Sequence, residues 1–333
     1  MEITPISYLA GCIEIIPLTI LIPCSLLNLF LLWKSSVLHN NSKIILISQS
    51  IVIFIYSTTR GFELYLIITK QDKLYNLLFH LLASIMFACV NFGNLIGHVL
   101  LLERTIATLF GTKYGQTRVP IFGICCILSL LLLTISERLI PTSNTTTSLN
   151  ILNLFSIISV SISLLLSILE LIAFSRLTAF NKKIYKQFLN NKYKGAHNYK
   201  LNERYQQLEN VYTGKQLAPS FFFHFINILC SNILVAMLTY IKLPVDIFID
   251  ISSFILIIHS ICKLGIEITV ITFHPVLNRN LNKIITKLFN FVKCERTSNR
   301  INIEGQTVVN NSLQNLRTKE QDLHFEMLGQ MWK

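Results

Sequence analysis

Seven apolar stretches, at 11–33, 44–68, 74–102, 119–135, 149–173, 217–241 and 247–272, occupy about half of a 333-residue chain. A helix needs about 20 apolar residues to cross the ~30 Å hydrocarbon core of a bilayer. Six of the stretches meet that length comfortably, and the fourth is marginal. Inside lipid the backbone must satisfy its own hydrogen bonds, so each inserted stretch is expected to be a helix. Charged residues make up 14% of the chain, against about 25% in soluble domains. The expected fold class is an all-α membrane protein: a seven-transmembrane helix bundle over 1–275, N-terminus outside, followed by a cytoplasmic amphipathic helix. No repeat of 20–50 residues and no second soluble domain is evident.

Charge sets the orientation. Residues 1–10 carry Glu2 and no Lys or Arg, and the apolar run behind them is too long for a cleavable signal peptide. It reads as a signal anchor followed by Lys34, with its start outside. In that orientation the inner segments 34–43, 103–118, 174–216 and 273–333 hold 23 Lys and Arg, against 4 in the outer segments. The weight lies on the third inner loop, where Arg176, Lys182, Lys183 and Lys186 follow closely behind a span. The net charge of +12 is then an inner face suited to anionic lipid and an acidic partner. Nucleic acid is a poor explanation of it.

Local patterns follow the same topology. Asn144-Thr145-Thr146 lies in the second outer loop and is a candidate N-glycosylation site. The triplets at Asn40 and Asn310 fall on the inner side and should stay bare. Six of eight cysteines lie well within spans, Cys12 lies at the outer edge of the first, and none falls in 69–80 or 136–148, so no disulfide is expected to join the third helix to the second outer loop. Leu201, Tyr205, Leu208 and Tyr212 recur at helical spacing, as do Leu177, Phe180, Ile184 and Phe188, which predicts that the sixth and fifth spans continue inward. After His274-Pro275, residues 276–294 place Leu277, Leu281, Ile284, Ile285, Leu288 and Phe291 on one face, with Arg279, Lys283, Lys287 and Lys293 between them. This is the pattern of a basic helix on the inner leaflet. Cys294 at its end is a candidate for palmitoylation, and 295–333 reads as a disordered tail.

Ionisable groups within spans are costly and so become candidates for function. Arg60 and Glu63, one turn apart, read either as a mutually satisfied pair or as a ligand-facing pair at a pocket mouth, joined by His80 and Ser84. Lys263 and Glu267, four apart, read as a second pair. No Walker loop, nucleotide fingerprint, Gly-x-Ser-x-Gly elbow or His-Glu-x-x-His is present. No catalytic residue, metal site or cofactor is therefore expected, and the chain does not read as an enzyme.

Three short blocks carry a family resemblance. Glu103-Arg104-Thr105-Ile106-Ala107-Thr108 with Tyr114, Leu201-Asn202-Glu203-Arg204-Tyr205-Gln206-Gln207-Leu208-Glu209-Asn210, and Phe273-His274-Pro275 resemble the corresponding segments of nematode serpentine chemoreceptors. The match is to the epsilon class, Sre, of the Sra superfamily. The resemblance implies a G-protein-coupled receptor in the plasma membrane of sensory neurons, with a heterotrimeric G protein and a small environmental molecule as partners. It implies that Glu103, Arg104, Arg204 and Tyr205 serve the activation switch and G-protein coupling. Arg104 would pair with Glu103 at rest and be freed when the sixth helix swings outward. The rival classes are a seven-helix ligand-gated channel with inverted topology and a small-solute transporter.

Overall fold

The structure, a computed structural model, describes residues 4–35, 38–69, 72–115, 119–139, 146–193, 201–240 and 244–296. Among them are eight helices: α1 Pro5–Lys34, α2 Asn40–Ile68, α3 Asp72–Gly115, α4 Ile121–Leu139, α5 Thr146–Tyr193, α6 Leu201–Tyr240, α7 Val245–Thr272 and α8 Pro275–Arg296. There is no strand among the described residues. The glycosylation candidate Asn144, Asn310 and the tail from 297 onward lie outside the described residues. So do the side chains of Arg204, Tyr205 and Cys294, although their backbones are helical.

Helix ends follow local chemistry. Thr4 caps α1 by accepting from the Ser7 N–H at 3.1 Å, with Pro5 in the first turn. His39 caps α2 by accepting from the Asn41 N–H. Pro275, which has no N–H to give, opens α8 directly behind α7.

Three helices outrun their apolar stretches. α3 continues past residue 102 to Gly115, so Glu103-Arg104 sits within a helix and not at the start of a basic loop. Inward continuation was expected for the fifth and sixth spans, and α5 runs to Tyr193 while α6 begins at Leu201. Among the described residues six helices are long and apolar enough to cross a membrane, while α4 contributes a shorter apolar segment, Ile121–Ile135.

α1, α2, α3, α6 and α7 pack one on the next and close α7 against α1, with α4 packed on α2 and α3 and α5 packed on α6 and α3. Two apolar clusters fill the centre between these helices. One, around Leu46, Phe92, Ile96, Leu100, Leu217 and Leu277, lies toward the Glu103 end. The other, around Leu18, Ile53, Tyr56, Leu64 and Ile266, lies toward Arg60. Leucine, isoleucine and phenylalanine also cover the outside of the spans, as at Leu132, Leu165 and Phe254. A surface of that kind is suited to lipid. α8 docks on α7 and α1, with Leu277 buried and Leu281 and Ile284 against the core. Ile285, expected on the same face, is exposed together with Phe289, leaving an apolar edge beside Lys283 and Lys287.

Candidate functional site

Four elements converge on Glu103 and Arg104. The α3 turn that carries them is buried, with Glu103 0% and Arg104 3% exposed, because α2, α4 and α6 pack around this end. Arg104 bonds to its neighbour Glu103 through Nε and also through Nη2. Glu103 Oε1 further accepts from Ser42 at 2.7 Å and from the Tyr114 hydroxyl at 2.5 Å. Arg104 Nη2 also donates to Ser42 Oγ. Glu103 therefore receives four donors, as a buried carboxylate must if it is to stay ionised.

The turn before α2 completes the cluster. Asn41 Nδ2 donates to the Tyr114 hydroxyl at 3.1 Å, and Asn41 Oδ1 accepts from the Gly123 N–H of α4 at 3.0 Å. A Cβ at position 123 would lie 3.0 Å from the Asn41 carbonyl oxygen, so glycine is what lets α4 approach this closely. His39 stacks on Tyr114 with ring centroids 4.2 Å apart. Its Nε2 lies 3.2 Å from the Tyr114 carbonyl oxygen, which only accepts, while its Nδ1 accepts from Asn41. This fixes the neutral tautomer with the proton on Nε2. The His39 backbone N–H donates to Glu209 Oε1 of α6 at 2.9 Å. Glu209 also stands close enough to Arg104 for their charges to interact.

Two histidines at this end are held neutral. Burial first, and the Arg104 charge second, push His39 down to about 4, and burial pushes His274 down to about 4. Burial and the Glu103 charge push the Tyr114 hydroxyl up. Since both histidines bind protons less readily folded than unfolded, the unfolded chain gains protons first as pH falls below 6.5. Stability is then complete above about pH 6.5 and declines toward pH 4, by on the order of 3 kcal/mol per histidine at most. Burial pushes the Glu209 carboxyl up to about 7 at the same end, which opposes the histidines over the same range, so their contribution is read as a difference. Between pH 6.5 and 4 the melting temperature of His39→Gln should gain on that of the wild type; a constant difference would mean that His39 is not held neutral.

The second charged cluster lies toward the opposite end. Arg60 donates from Nε and Nη2 to Glu14 of α1 at 2.7–3.2 Å, and from Nη1 to Glu63 at 2.9 Å. Ser260 of α7 donates to Glu14 at 2.9 Å. The expected Arg60–Glu63 pair is thus part of a triad whose strongest arm is Glu14. That residue was missed, although a lone acid inside the first apolar run was its signal. His80 and Ser84 are not brought to this cluster: both are exposed on α3, while Arg60 and Glu63 are buried.

The expected Lys263–Glu267 pair is not formed. Glu267 instead accepts from Asn28 of α1, and from Ser50 of α2 at 3.1 Å. Lys263 turns the other way, its Nζ 3.9 Å from the centre of the Tyr56 ring. Across the bundle His98 of α3 meets Glu170 of α5 at 2.5 Å. Among the described residues no three His, Cys, Asp or Glu side chains are grouped to hold a metal.

The structure thus brings two of the sequence blocks together, Glu103-Arg104 with Tyr114 and Glu209 of the Glu-Asn pair, within one buried polar cluster. The family model for the Sre G protein-coupled chemoreceptor matches residues 17–333. The chain belongs to the Sre G protein-coupled chemoreceptor family. No curated protein matches it. Membership and the apolar helices make this Sre chain a multi-pass membrane protein of a receptor family, not of an enzyme family. The partners that membership implies are a G protein and a small-molecule ligand.

Proposed function

We propose that the chain is a chemosensory receptor of the plasma membrane of sensory neurons. It crosses the membrane seven times with α4 as the short span and its N-terminus outside. It binds a small environmental molecule between the outer halves of its helices and couples to a heterotrimeric G protein at the end that holds Glu103 and Arg104. The observation that supports this most is the link between Arg104 and α6. Arg104 is paired with Glu103, and Glu209 of α6 bonds the turn before α2 in the same cluster. An outward movement of α6 would break the Glu209 contact and uncover Arg104 to a partner, a two-state element biased from both sides of the membrane. Arg204 and Tyr205, one turn further along α6, would meet the G protein. The basic α8, with Ile285 and Phe289 exposed, would rest on anionic lipid of the inner leaflet, where Cys294 is a candidate lipid anchor.

The coupling is tested by guanine-nucleotide exchange on purified G proteins with the receptor in nanodiscs. Exchange that depends on the receptor is the expected result. A current across a planar bilayer without any exchange would favour the channel. Topology is tested separately in a glycosylating membrane system. A glycan is expected on Asn144, and Asn144→Gln should remove the mobility shift. A shift that depends on Asn40 would invert the topology and withdraw Glu103 and Arg104 from the G-protein side.

A further inference from the structure

Glu209 is a buried acid at a joint between helices. It projects from α6, takes the His39 N–H of the turn before α2 at 2.9 Å, and feels the charges of Arg104 and Glu103 on α3. All three ionisable side chains are buried. Arg104 gives Nε and Nη2 to Glu103. Its remaining nitrogen, Nη1, is buried without a hydrogen-bond partner among the described residues, so Glu209 feels the charge of the arginine but not its hydrogen bonds. The joint therefore holds two acids against one cation. The other titratable groups around it do not change that balance. Lys182, Lys183 and Lys186 of α5 and Lys215 of α6 are exposed. Tyr114 of α3 donates to Glu103. His39 and His274, the latter directly behind α7, stay neutral between pH 6 and 8.

A buried carboxylate with no cation of its own is unfavourable, and a proton is the cation that neutralises it without needing space. Ionisation brings Glu209 the attraction of Arg104 and a stronger bond from His39. Burial outweighs both, with Glu103 adding repulsion, and the carboxyl is pushed up to about 7. The protonated acid still accepts from the His39 N–H through its carbonyl oxygen. Building on the receptor reading above, we infer that Glu209 is a proton switch for cytoplasmic pH: the proton it takes from the inner water holds α6 at rest, and its return to that water frees α6 to move. The sign follows from linkage. Once α6 has swung out, Glu209 meets water and its carboxyl returns to about 4.3, so the resting state binds the proton more tightly than the open one. Falling pH then favours rest and rising pH favours opening. Between pH 6 and 8 the ratio of open to resting receptor changes by about tenfold.

The test is ligand-free nucleotide exchange on purified G proteins, from pH 6 to 8, with wild type and Glu209→Gln in nanodiscs. Glutamine keeps an acceptor for the His39 N–H and cannot ionise. Wild-type basal exchange should rise about tenfold across this range relative to Glu209→Gln; comparing the two profiles cancels any pH dependence of the G protein itself. Infrared difference spectra of the same nanodiscs read the proton directly. A carboxylic acid C=O band present at pH 6, lost at pH 8 and missing from Glu209→Gln is expected. Parallel exchange profiles in the two receptors, a wild-type profile that falls relative to the variant, or no such band would overturn the switch. The band without exchange at any pH supports the proton site and counts against the receptor reading. Exchange with parallel profiles does the reverse.

Discussion

Arg60→Met is expected to leave little receptor at the cell surface. Arg60 is 6% exposed, and its guanidinium spans Glu14 of α1 and Glu63 of α2, with Ser260 of α7 also donating to Glu14. Removing the cation strands two carboxylates in a bilayer-embedded core. Breaking a buried pair from one side typically costs about 3–5 kcal/mol, a large part of a stability of about 5–15 kcal/mol. Glu63→Gln should be far milder, because Arg60 keeps its two-pronged bond to Glu14 and the remaining pair is neutral. The triple replacement Glu14→Leu, Arg60→Met, Glu63→Leu should recover much of the loss, since well-packed apolar residues often match a buried ionic cluster. Surface labelling and thermal unfolding would read all three. Arg60→Met at wild-type surface level with an altered ligand response would make the cluster a ligand contact and not a structural joint.

The contrast between this triad and its sequence reading shows where sequence stops being informative. Spans are legible because lipid demands long apolar runs, and α7 at Val245–Thr272 falls within two residues of its run. The inner end of α3 is not, because a helix that leaves lipid stays helical while its composition turns polar, whereas apolar spacing made the inward continuations of α5 and α6 readable. Arg60 with Glu63 was readable from spacing along one helix. Glu14 was not readable as a partner, since that needs the rotation of α1 against α2. Spacing also misled: Lys263 and Glu267 are correctly placed to pair, yet Asn28 and Ser50 offer the carboxylate hydrogen bonds that need no charge. The Glu103 cluster was half legible. Glu209 stood in a block already singled out, but nothing in the sequence marked His39, Asn41 and Ser42 as its scaffold. They are ordinary helix-start residues until α3 and α4 close over them.

Glu209→Ala is expected to raise ligand-independent signalling, and Arg104→Ala to abolish signalling. Glu209 is the buried residue through which α6 holds the turn before α2, by a charge-assisted bond to the His39 N–H. Such bonds contribute about 1.5–3 kcal/mol net. Losing one shifts a resting–active equilibrium by roughly ten- to a hundredfold. The resting fold should tolerate the loss well, because burial already pushes the Glu209 carboxyl up to about 7, and without Glu209 the Glu103–Arg104 pair is neutral. The mutation thus releases α6 without stranding a charge. Arg104→Ala acts on the other side of the switch: the surface uncovered by α6 then lacks the cation offered to the G protein. It also leaves Glu103 with only Ser42 and Tyr114 as donors, so exchange must be measured per receptor at the surface. The double variant separates the roles. If Glu209 only restrains and Arg104 only couples, Glu209→Ala with Arg104→Ala stays silent. Basal exchange that survives in the double variant would remove Arg104 from coupling, and unchanged basal exchange in Glu209→Ala alone would show that α6 is held elsewhere, with Gln216 on the Val270 carbonyl at 2.7 Å the next restraint to cut.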